Sequence, residues 1–218
     1  MPAWLDPHEP ENRLPVVAAI AASIAMQYAI PEKFGLHPRW AIPTFEALLL
    51  IVLVAINPVR VTRATRAARA IGLLTVIAIT VDNAISAWIL DYDIITGKTS
   101  NNAPALLFGG GAIYLTNIVA FGIWFWQLDR GGPTARATGT DRYPDLIFPQ
   151  MTDPQLAPPH WRPMFIDYLY VSVTNAFAFS PTDTMPASRW AKVLFAVQSL
   201  IALSTTALVI ARAVNVLK

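Results

Sequence analysis

Apolar residues in this chain come in long unbroken runs, with almost no alternation and little amphipathic period. The first runs from Leu14 to Ile30 and is closed by Pro31; a second covers Ala41 to Ile56. A third runs from Ala70 to Leu90, a fourth from Pro104 to Leu128, and a last from Trp190 to Leu217. A helix of about 20 apolar residues crosses the roughly 30 Å hydrocarbon layer of a bilayer, and these runs are of that order. A shorter stretch, Phe165 to Pro186, is aromatic and apolar for about four helical turns and then breaks at Ser180-Pro181. The pattern divides the chain into a tail (1–13), a four-helix membrane region (14–128), a Pro/Gly-rich loop (129–163) and a C-terminal module (164–218).

Composition strengthens the membrane reading. Of 218 residues, 55% are hydrophobic and 14% charged, where soluble domains carry about 25% charged residues. Mean hydropathy is +0.45. A net charge of +2 gives no case for nucleic acid, and the absence of cysteine removes disulfides and thiolate metal sites. The tail is acidic (Asp6, Glu9, Glu11) and lacks the basic start of a secretory signal, so the first run is predicted to stay in the membrane. His8, His37 and His160 all lie beside prolines in loops, and no nucleophile pair or metal cluster stands out within a span. The chain therefore reads as a non-enzyme without metal or cofactor, and its evident partner is the lipid bilayer.

Polar residues inside the runs are the candidates for function. Asp82 and Asn83 lie mid-span, where an ionisable group costs about 2.5–3.5 kcal/mol to insert and so must face other helices or water. They read either as a relay or as a bundle-holding hydrogen bond to Thr75, Thr80 or Asn117, with the second favoured; Glu46 is a weaker candidate. Gly109, Gly110, Gly111 and Gly122 predict close helix approach. Trp124, Phe125 and Trp126 read as an interfacial aromatic belt. Arg60, Arg63, Arg66 and Arg69 repeat every third residue, like a voltage-sensor helix. Their neighbours are small or polar, and such a helix is costly to insert, so a basic loop that fixes orientation is the stronger reading.

The stretch Phe165 to Pro186, FIDYLYVSVTNAFAFSPTDTMP, resembles the pore helix and filter of tetrameric potassium channels, which often read F-x-D-A-L-Y-F-S-V-V-T-x-x-T-x-G-Y-G-D. Phe165, Asp167, Leu169, Tyr170, Ser172, Val173 and Asp183 match without a gap. The resemblance implies an all-α membrane protein with about five crossing helices plus a re-entrant pore helix and loop, the alternative being six crossing helices. It also implies a homotetramer around one axis. Thr174, Asn175, Ala178, Phe179, Ser180, Pro181, Thr182 and Asp183 occupy the filter-like positions. Gln198, Ser199, Thr205 and Thr206 on the last helix become pore-lining candidates.

The filter letters depart from that family. A carbonyl-ring filter needs glycine in left-handed conformations, and Ser180-Pro181-Thr182 cannot supply them, because proline fixes φ and pushes its predecessor extended. What remains is side-chain hydroxyls and a possible ring of Asp183 carboxylates, which implies a weakly selective pore for monovalent cations. Asp183 also reads as a helix cap, and Phe177 and Phe179 as a plug, which leaves a non-conducting scaffold or sensor as the alternative. The wider pattern of four spans, a loop, Tyr170-Val171-Ser172-Val173-Thr174, Thr182-Asp183-Thr184 and Ala213-Val214-Asn215 is similar to a bacterial family of small multi-pass membrane proteins of unknown function. That resemblance implies an inner-membrane location. With five crossings, a C-terminus inside would put Arg60 to Arg69 outside, against the positive-inside rule.

Overall fold

A computed structural model of the chain describes residues 3–61, 65–98, 102–141, 143–180 and 183–216. Arg63, Pro181 and Thr182 lie outside the described residues. Two short apolar helices come first, α1 (Leu14–Ala29) and α2 (Ala41–Ile56). Two long ones follow, α3 (Arg66–Ile95) and α4 (Ala103–Leu128). The connection after them holds α5 (Pro133–Thr138), strand β1 (Leu146–Ile147) and α6 (Pro149–Thr152). Then come α7 (Phe165–Ala178), strand β2 (Met185–Pro186) and α8 (Arg189–Val216). The protein is thus all-helical apart from one two-stranded pairing. Helices α3, α4 and α8 lie in segments long and apolar enough to cross a membrane, while α1 and α2, at 16 residues each, are shorter apolar helices.

Local sequence explains the boundaries. Proline stands in the first turn of α1, α4 and α5, where its missing N–H costs nothing. Thr65 caps α3 by accepting from the Ala68 N–H at 3.1 Å, and Asn102 caps α4 through the Ala105 N–H at 3.0 Å. Helix α7 is opened by Asp167, whose carboxylate reaches back to the Met164 N–H at 2.7 Å. At the start of α8 the Ser188 hydroxyl accepts from the Ala191 N–H at 3.4 Å.

Helix α4 is the hub, packing against α1, α3, α7 and α8. Its glycines permit this closeness: a Cβ on Gly122 would sit 3.2 Å from the Leu169 backbone, and one on Gly110 would sit 2.8 Å from a Val209 methyl. Phe125 and Trp126 are buried in the main core and do not form an outward aromatic belt, because the tail and α7 cover that end of α4. An apolar exterior is carried by Leu48 and Ile51 on α2, Ile77 and Trp88 on α3, and Val193 and Leu200 on α8.

Helices α1 to α4 alternate in direction between two poles, and α7 and α8 both start at the first of them. At the first, the tail pairs with the α2–α3 connection: the Arg13 N–H donates to the Val59 carbonyl at 2.9 Å and the Val61 N–H to the Glu11 carbonyl at 3.2 Å. Arg60, Arg66 and Arg69 lie at this pole; Arg66 and Arg69 form the first turn of α3 instead of a loop. At the opposite pole Phe34, Leu90, Leu106 and Ala213 close the bundle.

Candidate functional site

Helix α7 starts at the arginine pole and ends partway along the bundle, and the chain then returns to the pole it left. The Tyr168 hydroxyl, one turn into α7, donates to Asp129 Oδ2 at 2.7 Å just beyond the end of α4. On the return, Met185 pairs with Ile147, and the Ala187 N–H donates to the Asp145 carbonyl at 2.8 Å. Trp190 at the start of α8 donates to Asp145 Oδ1 at 2.9 Å. Both feet of this hairpin therefore stand on residues 129–147, and α7 ends partway along the bundle, with Ala176 packed against Ile118 and Ala202 and residues 177–180 exposed. The reason lies in sequence: 14 residues of helix, a proline-bearing break, and a second long helix.

The filter-like residues divide by position. Phe179 caps α7 in the left-handed region at φ 54° and is, with Ala178, Ser180 and Asp183, exposed. Phe177 is also exposed and meets Tyr114 edge-on, with ring centroids 5.5 Å apart. Thr174 donates to the Val171 carbonyl of its own helix at 3.0 Å. Asn175 is fully buried and donates to Gln198 Oε1 at 2.9 Å and to the Phe195 carbonyl at 3.1 Å.

Gln198, expected along a pore, is enclosed between α7 and α8, where its Nε2 donates to Ser172 Oγ at 2.7 Å. Ser199 donates to Asn175 Oδ1 at 3.2 Å. Ser172 in turn donates to the Ile118 carbonyl of α4 at 2.6 Å. Thr205 is buried with its hydroxyl unpaired among the described residues, and Thr206 is half-buried. Asn175, Gln198 and Ser199 thus meet one another as one interhelical network.

Asp82 and Asn83 are buried on α3, as their depth predicts. The expected partners do not bind them. Thr75 and Thr80 donate back to the Ile71 and Val76 carbonyls, and the Asn117 side chain has no partner among the described residues. Asp82 instead lines a small cavity together with Gln27 of α1, whose side chain donates to Glu46 Oε1 of α2 at 3.1 Å. Three helices so converge on two buried acids. Sequence reasoning underrated Glu46, which is fully buried.

The largest feature it missed is a charged cluster under the hairpin's feet. Arg136 donates through Nε and Nη2 to the two Glu11 oxygens at 2.9 and 3.2 Å, and through Nη1 to the Trp126 and Asp129 carbonyls, both at 2.8 Å. Trp126 Nε1 donates to Glu11 Oε2 at 2.7 Å. Asp129 Oδ1 accepts from the Asp145 and Leu146 N–H groups at 3.0 and 3.2 Å. Burial opposes the Arg136 charge, but the facing Tyr168, Glu11 and Asp129 oxygens more than offset it and raise its pKa. Arg13 is the contrast: it is 6% exposed and its guanidinium donates to the Leu53 carbonyl at 3.1 Å. Burial lowers its pKa, and among the described residues no carboxylate forms an ion pair with it.

Arg13 lines a cleft of about 320 Å³ at the arginine pole, together with Arg66, Arg69, Thr65, Gln127 and Thr134. Among the described residues no group of three His, Asp or Glu side chains is placed to hold a metal ion. No family model matches the chain, and no curated protein or solved structure matches it either.

Proposed function

We propose that this protein is a membrane-embedded pore-loop protein in which five helices cross the bilayer and α7 re-enters. Copies assemble around a shared axis, fourfold by the resemblance, and form a weakly selective path for monovalent cations. The observation that carries this reading is the hairpin whose two feet stand on neighbouring acids, Tyr168 on Asp129 and Trp190 on Asp145. At 14 residues α7 is also short for a crossing, which favours re-entry over a six-helix arrangement. Exposed Ser180 and Asp183 give the mouth hydroxyl and carboxylate chemistry, the side-chain route to admitting cations.

The arginines and the hairpin's feet share a pole, so the positive-inside rule turns both toward the cytoplasm of a bacterial inner membrane and puts the end of α8 outside. The test is cation flux from liposomes holding the purified protein, with its subunit count measured by native mass. A tetramer whose flux falls with Asp183→Asn supports the path; a well-folded tetramer without flux ends it. A second reading, a non-conducting scaffold that keeps the hairpin, is favoured by the enclosure of Gln198 and by exposed Phe177 and Phe179 at the tip.

A further inference from the structure

We infer that the cleft at the arginine pole is a binding site for a phosphate-bearing anion, contributed either by a lipid headgroup or by a soluble phosphate. Among the described residues three arginines, Arg13, Arg66 and Arg69, line it, and no Asp or Glu does. Arg13 is the decisive member. A buried charge is normally matched by an opposite one, since an unmatched ion loses its hydration without return. Among the described residues Arg13 has no carboxylate in ion-pair range, whereas Arg136 has Glu11 and Arg60 has Glu9. The cleft supplies room for the missing counter-ion against Arg13.

Arg66 and Arg69 stand three residues apart in the first turn of α3, so both reach the same space, and they too have no carboxylate in range among the described residues. Thr65, Gln127 and Thr134 add neutral polar side chains to the wall. Arginine presents planar forks of donors that match phosphate oxygens. The size also decides: about 320 Å³ is at the small end of ligand cavities and accommodates a headgroup or a small phosphate, with any acyl chains left outside. The site lies where α2 ends and α3 begins, at a helix-end pole of an apolar bundle, a position at which basic pockets meet anionic headgroups. This inference requires the membrane setting only for its lipid arm and does not depend on conduction.

The experiment compares the full chain in phosphatidylcholine nanodiscs with and without phosphatidylglycerol, and separately with inorganic phosphate. It reads the unfolding midpoint and, by native mass, the lipid retained. A rise in midpoint with phosphatidylglycerol and retained lipid assigns a headgroup; a rise with phosphate alone assigns a soluble anion. Arg66→Gln/Arg69→Gln removes two charges from an exposed helix turn and is expected to weaken binding about tenfold without altering the fold. Arg13→Gln is expected to abolish it. Equal binding by the double variant, or no response to either anion beyond that to phosphatidylcholine, overturns the assignment.

Discussion

The Asn175 side chain donates to Gln198 Oε1 at 2.9 Å and thereby joins the deep end of α7 to the middle of α8. Gln198 returns the bond to Ser172, and Ser199 donates to Asn175 Oδ1, so the two helices are held by a closed polar circuit. Each side chain has a partner, which is the condition for a polar network inside an apolar bundle.

Gln198→Leu is therefore expected to destabilise the protein more than the loss of one bond. Interhelical bonds in membranes average about 0.6 kcal/mol. This change also leaves the buried Asn175 amide and Ser172 hydroxyl short of partners, at about 1–3 kcal/mol. Unfolding in detergent should show a clear drop in midpoint for Gln198→Leu and a smaller one for Ser199→Ala, which sits at the edge of the circuit. Equal effects would mean that the circuit does not act as a unit.

Breaking the Glu11–Arg136 pair should be the most damaging single change at the arginine pole. Removal of one member of a buried ion pair costs about 3–5 kcal/mol, because the other charge stays buried alone. Arg136→Met and Glu11→Gln are each expected to lower the midpoint strongly, and the two together to lose less than their sum. The exposed Arg60–Glu9 pair provides the control: Glu9→Gln should change the midpoint little, as surface pairs contribute about 0–1 kcal/mol.

Gly110 and Val209 set the distance between α4 and α8. A methyl at Gly110 would lie 2.8 Å from a Val209 methyl, and valine has little rotameric freedom in a helix. Gly110→Ala is expected to cost about 1–3 kcal/mol, and Val209→Ala in the same chain to restore part of it. Gly111→Ala, which would meet nothing within 4 Å, should be neutral or slightly stabilising by helix propensity. A thermal series over the three variants tests the geometry, and an equal loss at Gly110 and Gly111 would contradict it.

What the sequence made legible follows from range. The long helices are carried by uninterrupted apolar length, and the end of α7 by Ser180-Pro181, so each is written within its own segment. The Glu11–Arg136 pair joins residues 125 positions apart, between a tail and a loop whose charges read singly as solvated. Asn175 and Gln198 were visible as polar residues in apolar helices, but such residues face either a water-filled path or one another. The choice depends on the rotation of α7 against α8, which the packing of both on α4 decides. Glu46 and Asp82 lie on neighbouring helices, and neither pattern alone signals the other. The one cue within reach was Asp129-Arg130-Gly131-Gly132-Pro133, where three successive residues, Arg130 to Gly132, take positive φ and turn α4 back toward the tail.

The tip of the hairpin gives a test of sign. Phe179 holds a left-handed conformation at φ 54°, which costs a residue bearing a Cβ about 1–2 kcal/mol and costs glycine almost nothing. Phe177, two residues earlier, is helical and 66% exposed. Phe179→Gly should accordingly hold or raise the unfolding midpoint, the relief of backbone strain offsetting the loss of a ring that is 40% exposed. Phe177→Gly should lower it by about 0.5–1 kcal/mol of helix propensity, together with its contact to Tyr114. Phe179→Val, β-branched in the same left-handed position, should be worse than either. Measured side by side, the three variants separate backbone conformation from ring packing. If Phe179→Gly and Phe177→Gly fell equally, the left-handed turn that sends the chain back to its starting pole would not be the feature that shapes the hairpin.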